Sequence, residues 1–170
     1  ADAEAQGRSL KPSIVYATFT DALEIGKNLE QYTPIQHDIA LYQYTGGTTG
    51  RSKGAIISHQ NVASLVKITG DYLHAHESGF NHNDCILTAI PLYHIFAFSV
   101  NFLMFFEAGS HNLLIPSPRP VSNLKPAFEK FKVTWLTGVD TLYAGLLAES
   151  WFTANPPKLT CSISGGTALR

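Results

Sequence analysis

The chain has 170 residues, a formal net charge of −1 and 45% apolar residues, but only 15% charged ones, against about 25% in ordinary soluble domains. That balance excludes low complexity, a coiled coil and intrinsic disorder, because disorder needs low hydrophobicity together with high net charge. It also leaves no electrostatic footprint for nucleic acid as a partner.

In chain order, Ala1–Ser9 is small and polar, and residues 1–17 read as a linker or tag-like segment. Phe19–Leu29 is a predicted short helix capped by Thr20 or Asp21. Ile39–Tyr44 and Gly54–Ser58 are predicted strands, separated by a glycine- and hydroxyl-rich loop, Thr45–Lys53. His59–His76 carries Val62, Leu65, Val66, Thr69 and Leu73 at helical spacing. Cys85–Ile90 is a strand, Pro91–His94 a turn, 96–108 a helix ended by Gly109, and His111–Ile115 a strand. A proline loop (Pro116, Pro118, Pro120) leads to a helix, Val121–Phe131, with Leu124, Phe128 and Phe131 on one face. A strand at Val133–Leu136, a helix at Val139–Glu149 with Asp140 as its cap, and a strand at Leu159–Ser164 complete the order.

Strands alternating with helices imply βαβ units, an α/β fold and a mostly parallel sheet. In such sheets ligands bind in loops at the carboxyl ends of strands. The loops 45–53, 91–94 and 164–167 all follow strands, and parallel strands would place them on one edge. Between Asp84 and Glu107 no charged residue occurs, a run long enough to span a bilayer. Pro91 and His94 interrupt it and no Lys or Arg bias flanks it, so it reads as buried core.

The loop Thr45-Gly-Gly-Thr-Thr-Gly-Arg-Ser-Lys53 meets the requirements of a polyphosphate site. Glycines let the backbone approach a ligand, successive N–H groups form an anion nest, hydroxyls add donors, and Lys53 or Arg51 neutralises charge. It is neither a P-loop, since Ser52 precedes Lys53 and Gly54 follows it, nor a dinucleotide GxGxxG fingerprint. Elsewhere the residues are plainer. Cys85 and Cys161 read as buried, reduced thiols. His74 and His76 stand two apart on a helix and face different ways. His37, His59, His82 and His111 have no partners at ligand spacing, and no metal-binding residues are expected. Trp135 and Trp151 read as packing.

Tyr42-Gln-Tyr-Thr-Gly-Gly-Thr-Thr-Gly-Arg-Ser-Lys53 resembles the AMP-binding signature of the adenylate-forming enzymes. Pro91-Leu-Tyr-His-Ile-Phe-Ala97 is similar to that family's second core motif. With Asn112–Ile115, Thr137–Val139, Thr141-Leu142 and Ser164–Gly166, it looks like the bacterial long-chain fatty acid–CoA ligases. The likeness covers 18–170, which would be an incomplete piece of the large N-terminal domain, with the C-terminal part of the enzyme absent.

The resemblance implies an ATP-dependent ligase that activates a long-chain fatty acid as its acyl-adenylate and transfers it to coenzyme A, with Mg²⁺ as cofactor. Thr45, Gly46, Gly47, Thr48, Thr49, Gly50 and Lys53 would hold the ATP phosphates. His94 would orient the acyl carboxylate. Gly165, Gly166 and Thr167 would lie along the adenine and acyl chain, and Phe98 at the mouth of the acyl tunnel. It further implies a cytoplasmic parent, and leaves open peripheral association with the inner face of the membrane and homo-oligomerisation. The 170 residues alone are expected not to turn over. A ligase for another carboxylic acid and a non-catalytic nucleotide-binding module are the alternatives.

Overall fold

The computed structural model describes residues 18–28, 38–45, 52–76 and 79–169. The chain divides into two compact units, Ala1–His37 and Asp38–Arg170. In the first, helix α1 (Phe19–Gly26) starts at Thr18 rather than at Thr20 or Asp21. Thr18 Oγ1 accepts the Asp21 N–H at 3.1 Å, and the Asp21 carboxylate accepts the Thr18 N–H at 3.3 Å. This reciprocal box satisfies two donors that a helix start otherwise leaves unpaired.

In the second unit, β1 (Ile39–Thr45) and β2 (Lys53–Ser58) pair antiparallel as a hairpin, with Thr45 opposite Lys53. The sequence suggested that the loop after β1 belongs to the parallel sheet's edge. It is instead the connection of a two-stranded ribbon. The register explains why: Leu41–Thr45 and Lys53–Ile57 match residue for residue, and consecutive antiparallel strands need no crossover. Ser58 then caps α2 (His59–Ala75), its Oγ accepting the Asn61 N–H at 3.1 Å.

The main sheet has four parallel strands, β3 (Cys85–Thr88), β4 (His111–Leu114), β5 (Trp135–Gly138) and β6 (Cys161–Ser164), in the order β4-β3-β5-β6. β3 and β5 are buried along their full length, as strands covered on both faces must be. Alternate residues serve opposite faces. Ile86 and Trp135 pack with Leu73, Phe80, Met104 and Phe105 on one side. Leu87 and Leu136 pack with Leu124, Ala127, Val133 and Leu146 on the other.

The helix after His94, expected as α over 96–108, is π-helical from Ala97 to Met104 and closes with one α-turn, Phe105–Glu107; together these form α3. It ends at Gly109, whose φ is +67°. The uncharged run thus resolves into a buried strand, a turn and this short helix. Among the described residues no helix is long and apolar enough to cross a membrane.

The stretch predicted as one helix at 121–131 is a 3₁₀ turn (Val121–Leu124) followed by α4 (Lys125–Lys130), with Pro126 in its first turn. Pro126 has no N–H to bond backward, so the regular helix begins there. α5 (Asp140–Ala148) is capped by Val139; Asp140 is its first helical residue, not its cap. The backbone turns extended at Glu149, and a further short helix, α6 (Ser150–Ala154), follows.

Candidate functional site

β3 sends the chain to β4 on one side of the sheet and β5 sends it to β6 on the other. The crevice beyond the carboxyl ends of β3 and β5 is therefore the point where strand order reverses, the preferred ligand position in open α/β sheets. Three loops meet there: 89–94 after β3, the 138–140 turn after β5 and 165–167 after β6. An open cleft of about 760 Å³ lies among Ile90, Tyr93, Arg119, Val121, Val139 and Thr141.

His94 sits at the end of the 91–94 turn, its N–H donating to the Pro91 carbonyl at 2.9 Å. Its Nδ1 accepts the backbone N–H of Phe96 at 3.2 Å. An accepting Nδ1 is unprotonated, so in the neutral ring the proton is on Nε2. The ring is solvent-exposed. It thus offers a donor of fixed orientation, suited to a carboxylate or phosphate oxygen.

The hairpin reaches this turn directly. Gln43 Nε2 donates to the carbonyl of Tyr93 at 3.2 Å, and Leu41, Tyr42 and Tyr44 face Leu92, Tyr93 and Phe98 across a cleft of about 460 Å³. The ends of the glycine-rich loop, Thr45 and the exposed Lys53, stand opposite each other on this hairpin. Gly46, Gly47, Thr48, Thr49 and Gly50 lie outside the described residues. Phe98 also lines a second, almost wholly apolar pocket of about 190 Å³ between α2 and α3, with Ile57, Val62, Leu65, Ile95 and Leu103. One aromatic ring therefore forms a wall of both spaces.

The 165–167 loop joins the same neighbourhood. Gly165 donates its N–H to the Gly138 carbonyl at 3.1 Å, and Thr167 Oγ1 accepts the Asp140 N–H at 3.4 Å. A Cβ on Gly165 would come within 3.2 Å of the Phe96 ring, and Gly166 has φ +81°. Gly166 is required by its backbone conformation, and Gly165 sits where a methyl would press on the Phe96 side chain. Phe96, two residues beyond His94, is thus the contact between the histidine turn and the last loop.

The fold itself accounts for other groups. The Tyr143 hydroxyl, with its single proton, lies 2.8 Å from the Ile163 carbonyl and 3.2 Å from that of Leu136, tying α5 to β5 and β6. Burial pushes its hydroxyl above the ordinary value of 10.0, with the Ser162 hydrogen bond opposing. Asp84 is buried at the other edge of the sheet and accepts from Thr134 Oγ1 at 2.7 Å and the Asn81 N–H at 2.9 Å.

Gln43, Phe96 and Asn101 carry no independent signal of function in the sequence. Only Asn101, an amide inside an otherwise apolar helix, stands out by composition. It is fully buried.

The AMP-binding enzyme family matches residues 2–170. The chain belongs to that family. It is 39% identical over 157 residues to a long-chain-fatty-acid–CoA ligase of Yersinia pestis, covering 90% of this chain and 27% of that protein. The described fold resembles ATP-bound MatB from Rhodopseudomonas palustris at 30% identity and a TM-score of 0.65, over 80% of this chain and 26% of that one. It also resembles O-succinylbenzoate coenzyme A synthetase from Bacillus subtilis in complex with AMP, at 28% identity and a TM-score of 0.66, over 79% of this chain and 26% of that one. The chain spans about a quarter of the length of these family members.

Proposed function

We propose that this chain is the phosphate- and acyl-binding part of a long-chain fatty acid–CoA ligase, and that the remaining catalytic residues lie elsewhere in a longer protein. The observation that carries the reading is the Gln43–Tyr93 hydrogen bond. It fastens the hairpin bearing the glycine-rich loop to the turn bearing His94, beside an apolar pocket walled by Phe98.

The chemistry joins two anions, so positioning and charge screening dominate. A carboxylate oxygen attacks the α-phosphorus of ATP, the bond to the β-phosphate oxygen breaks, and pyrophosphate leaves. The thiolate of coenzyme A then attacks the acyl carbonyl carbon and AMP departs. Thr45–Gly50 and Lys53 hold the β- and γ-phosphates through backbone N–H groups, hydroxyls and one cation. His94 donates from Nε2 to the acyl carboxylate and aligns it. Gly165, Gly166 and Thr167 border the nucleotide and the start of the chain, and Phe98 admits the hydrocarbon. Among the described residues no three His, Cys, Asp or Glu gather as a metal site. Mg²⁺ would come with the ATP phosphates and screen their charge. This reading makes the parent protein cytoplasmic and leaves open peripheral association with the inner membrane face and self-association.

The test is acid-dependent release of AMP and pyrophosphate by the full-length gene product carrying this chain. The substrate panel runs from octanoate to oleate, with aryl and dicarboxylic acids included. Preference for the long acids is expected. Best turnover on an aryl or dicarboxylic acid moves the protein to another branch of the family. Absence of acid-dependent ATP cleavage overturns the enzymatic reading.

A further inference from the structure

Asn101 lies in the middle of the π-helical segment and is 0% exposed. Its amide is inserted between two strands. Nδ2 donates to Thr88 Oγ1 at 2.9 Å and to Thr137 Oγ1 at 2.7 Å, and Oδ1 accepts from Thr137 Oγ1 at 2.9 Å. Thr88 and Thr137 are 3% and 0% exposed and stand opposite each other in the β3–β5 register. They are the last inward-facing residues of β3 and β5 before the loops that line the crevice. Thr88 Oγ1 donates onward to Asn112 Oδ1 on β4 at 2.6 Å. The circuit closes where Asn112 Nδ2 donates to the backbone carbonyl of Asn101.

That last bond bears on the helix type. In an α-helix the Asn101 carbonyl would take the N–H of Phe105, four residues on. Here the Phe105 N–H goes to Phe102 instead, and the Asn112 amide serves the Asn101 carbonyl. A side-chain donor thus occupies the carbonyl that an α-helix would pair with Phe105, within a segment wound by i→i+5 bonds. A fully satisfied buried polar network is directional, and it fixes register more sharply than apolar packing does. A one-residue slip of the helix would carry Phe98 one step along and around the helix axis, away from its present position. Phe98 would then no longer be the wall shared by the two spaces.

We propose that Asn101, clamped by Thr88, Thr137 and Asn112, is a positioning residue that sets the π register of α3 and through Phe98 the acyl-chain selectivity of the enzyme. The proposal rests on the ligase reading given above.

The experiment compares kcat and KM across saturated acids from octanoate to stearate in the full-length gene product. It uses Asn112→Asp, which keeps the acceptor and loses the donor to the Asn101 carbonyl, and Thr137→Val against Thr137→Ser. Asn112→Asp and Thr137→Val are expected to raise KM for the preferred acid about tenfold and to change the order of preference, with KM for ATP altered less than about twofold. Thr137→Ser, which retains the hydroxyl, is expected to keep the parent's order. An unchanged order in both disruptive variants, with or without a lower melting temperature, overturns the proposal. If Asn112→Asp does not fold, Thr137→Val decides alone. If the parent protein itself uses no carboxylic acid, the ligase reading fails rather than the clamp.

Discussion

Gln43 Nε2 donates to the carbonyl oxygen of Tyr93 across 3.2 Å, joining strand β1 to the turn that ends in His94. The same amide hydrogen-bonds the Tyr44 carbonyl at 3.2 Å, so one side chain fixes both the end of the strand and its distance from the turn. In the proposed reading, the phosphate-binding loop and the carboxylate-orienting His94 meet through this link, and misplacement of either would be costly because such a reaction depends on alignment.

Gln43→Ala is therefore expected to lower kcat/KM of the full-length protein by about tenfold, the equivalent of about 1.4 kcal/mol. Gln43→Glu, which has the same length but cannot donate, should fall equally. Steady-state kinetics with the acid and with ATP varied in turn checks this. Full activity in Gln43→Glu would show that the donor is dispensable.

His94→Ala is expected to slow acid-dependent ATP–pyrophosphate exchange by about a hundredfold while leaving ATP affinity nearly intact. Nδ1 accepts from the Phe96 N–H, which leaves Nε2 as the atom that would meet the carboxylate. Asparagine, whose amide can donate from a shorter reach, is expected to recover part of the loss. Exchange kinetics with labelled pyrophosphate, beside ATP binding by calorimetry, separates the two effects.

Gly165→Ala brings a methyl within 3.2 Å of the Phe96 ring. The Phe96 ring must shift by a few tenths of an ångström to admit it, and overpacking is expected to cost about 1 kcal/mol. The double variant Gly165→Ala with Phe96→Leu should recover most of it, because the contact is pairwise. Gly166→Ala is a different case. Its φ of +81° is expected to cost about 1–2 kcal/mol whatever the neighbours, and Phe96→Leu should not help. Denaturant midpoints of the four proteins check both statements.

Burial pushes the Cys85 thiol above its ordinary value of 9.0, with the charge of Asp84 adding to it, and burial likewise raises that of Cys161. The folded protein then keeps thiol protons that the unfolded chain releases near 9.0. Their contribution to stability is whole below that pH and falls as pH climbs through the raised values. Replacing both cysteines by alanine should flatten the loss of stability between pH 8 and pH 10, read from chemical denaturation. In the parent, both thiols should react with a disulfide reagent at neutral pH far more slowly than after denaturation.

Part of the candidate site was legible in residue order alone. The composition of Thr45–Lys53 suggests phosphate, a reading that rests on residues mostly outside those described, and Gly165-Gly166 after a strand announces the close approach seen at Phe96. The alternation of strands and helices announces a parallel sheet, which β3 to β6 form. The hairpin was not legible as such, because a short apolar run pairs as readily in either direction until a register is chosen. The π-helix was also hidden: 96–108 has the composition of a buried α-helix, and the Asn112 amide that meets its Asn101 carbonyl comes from β4.

By itself, then, the sequence determined which side chains are candidates for the chemistry, because residue type, glycine placement and spacing are local properties. Only the tertiary structure decided how they meet. It set Gln43 against Tyr93, Phe96 over Gly165 and Asn101 between Thr88 and Thr137. Each is a contact between segments far apart in the chain. Sequence periodicity carries no information about such contacts, and packing with hydrogen-bond satisfaction fixes them all at once.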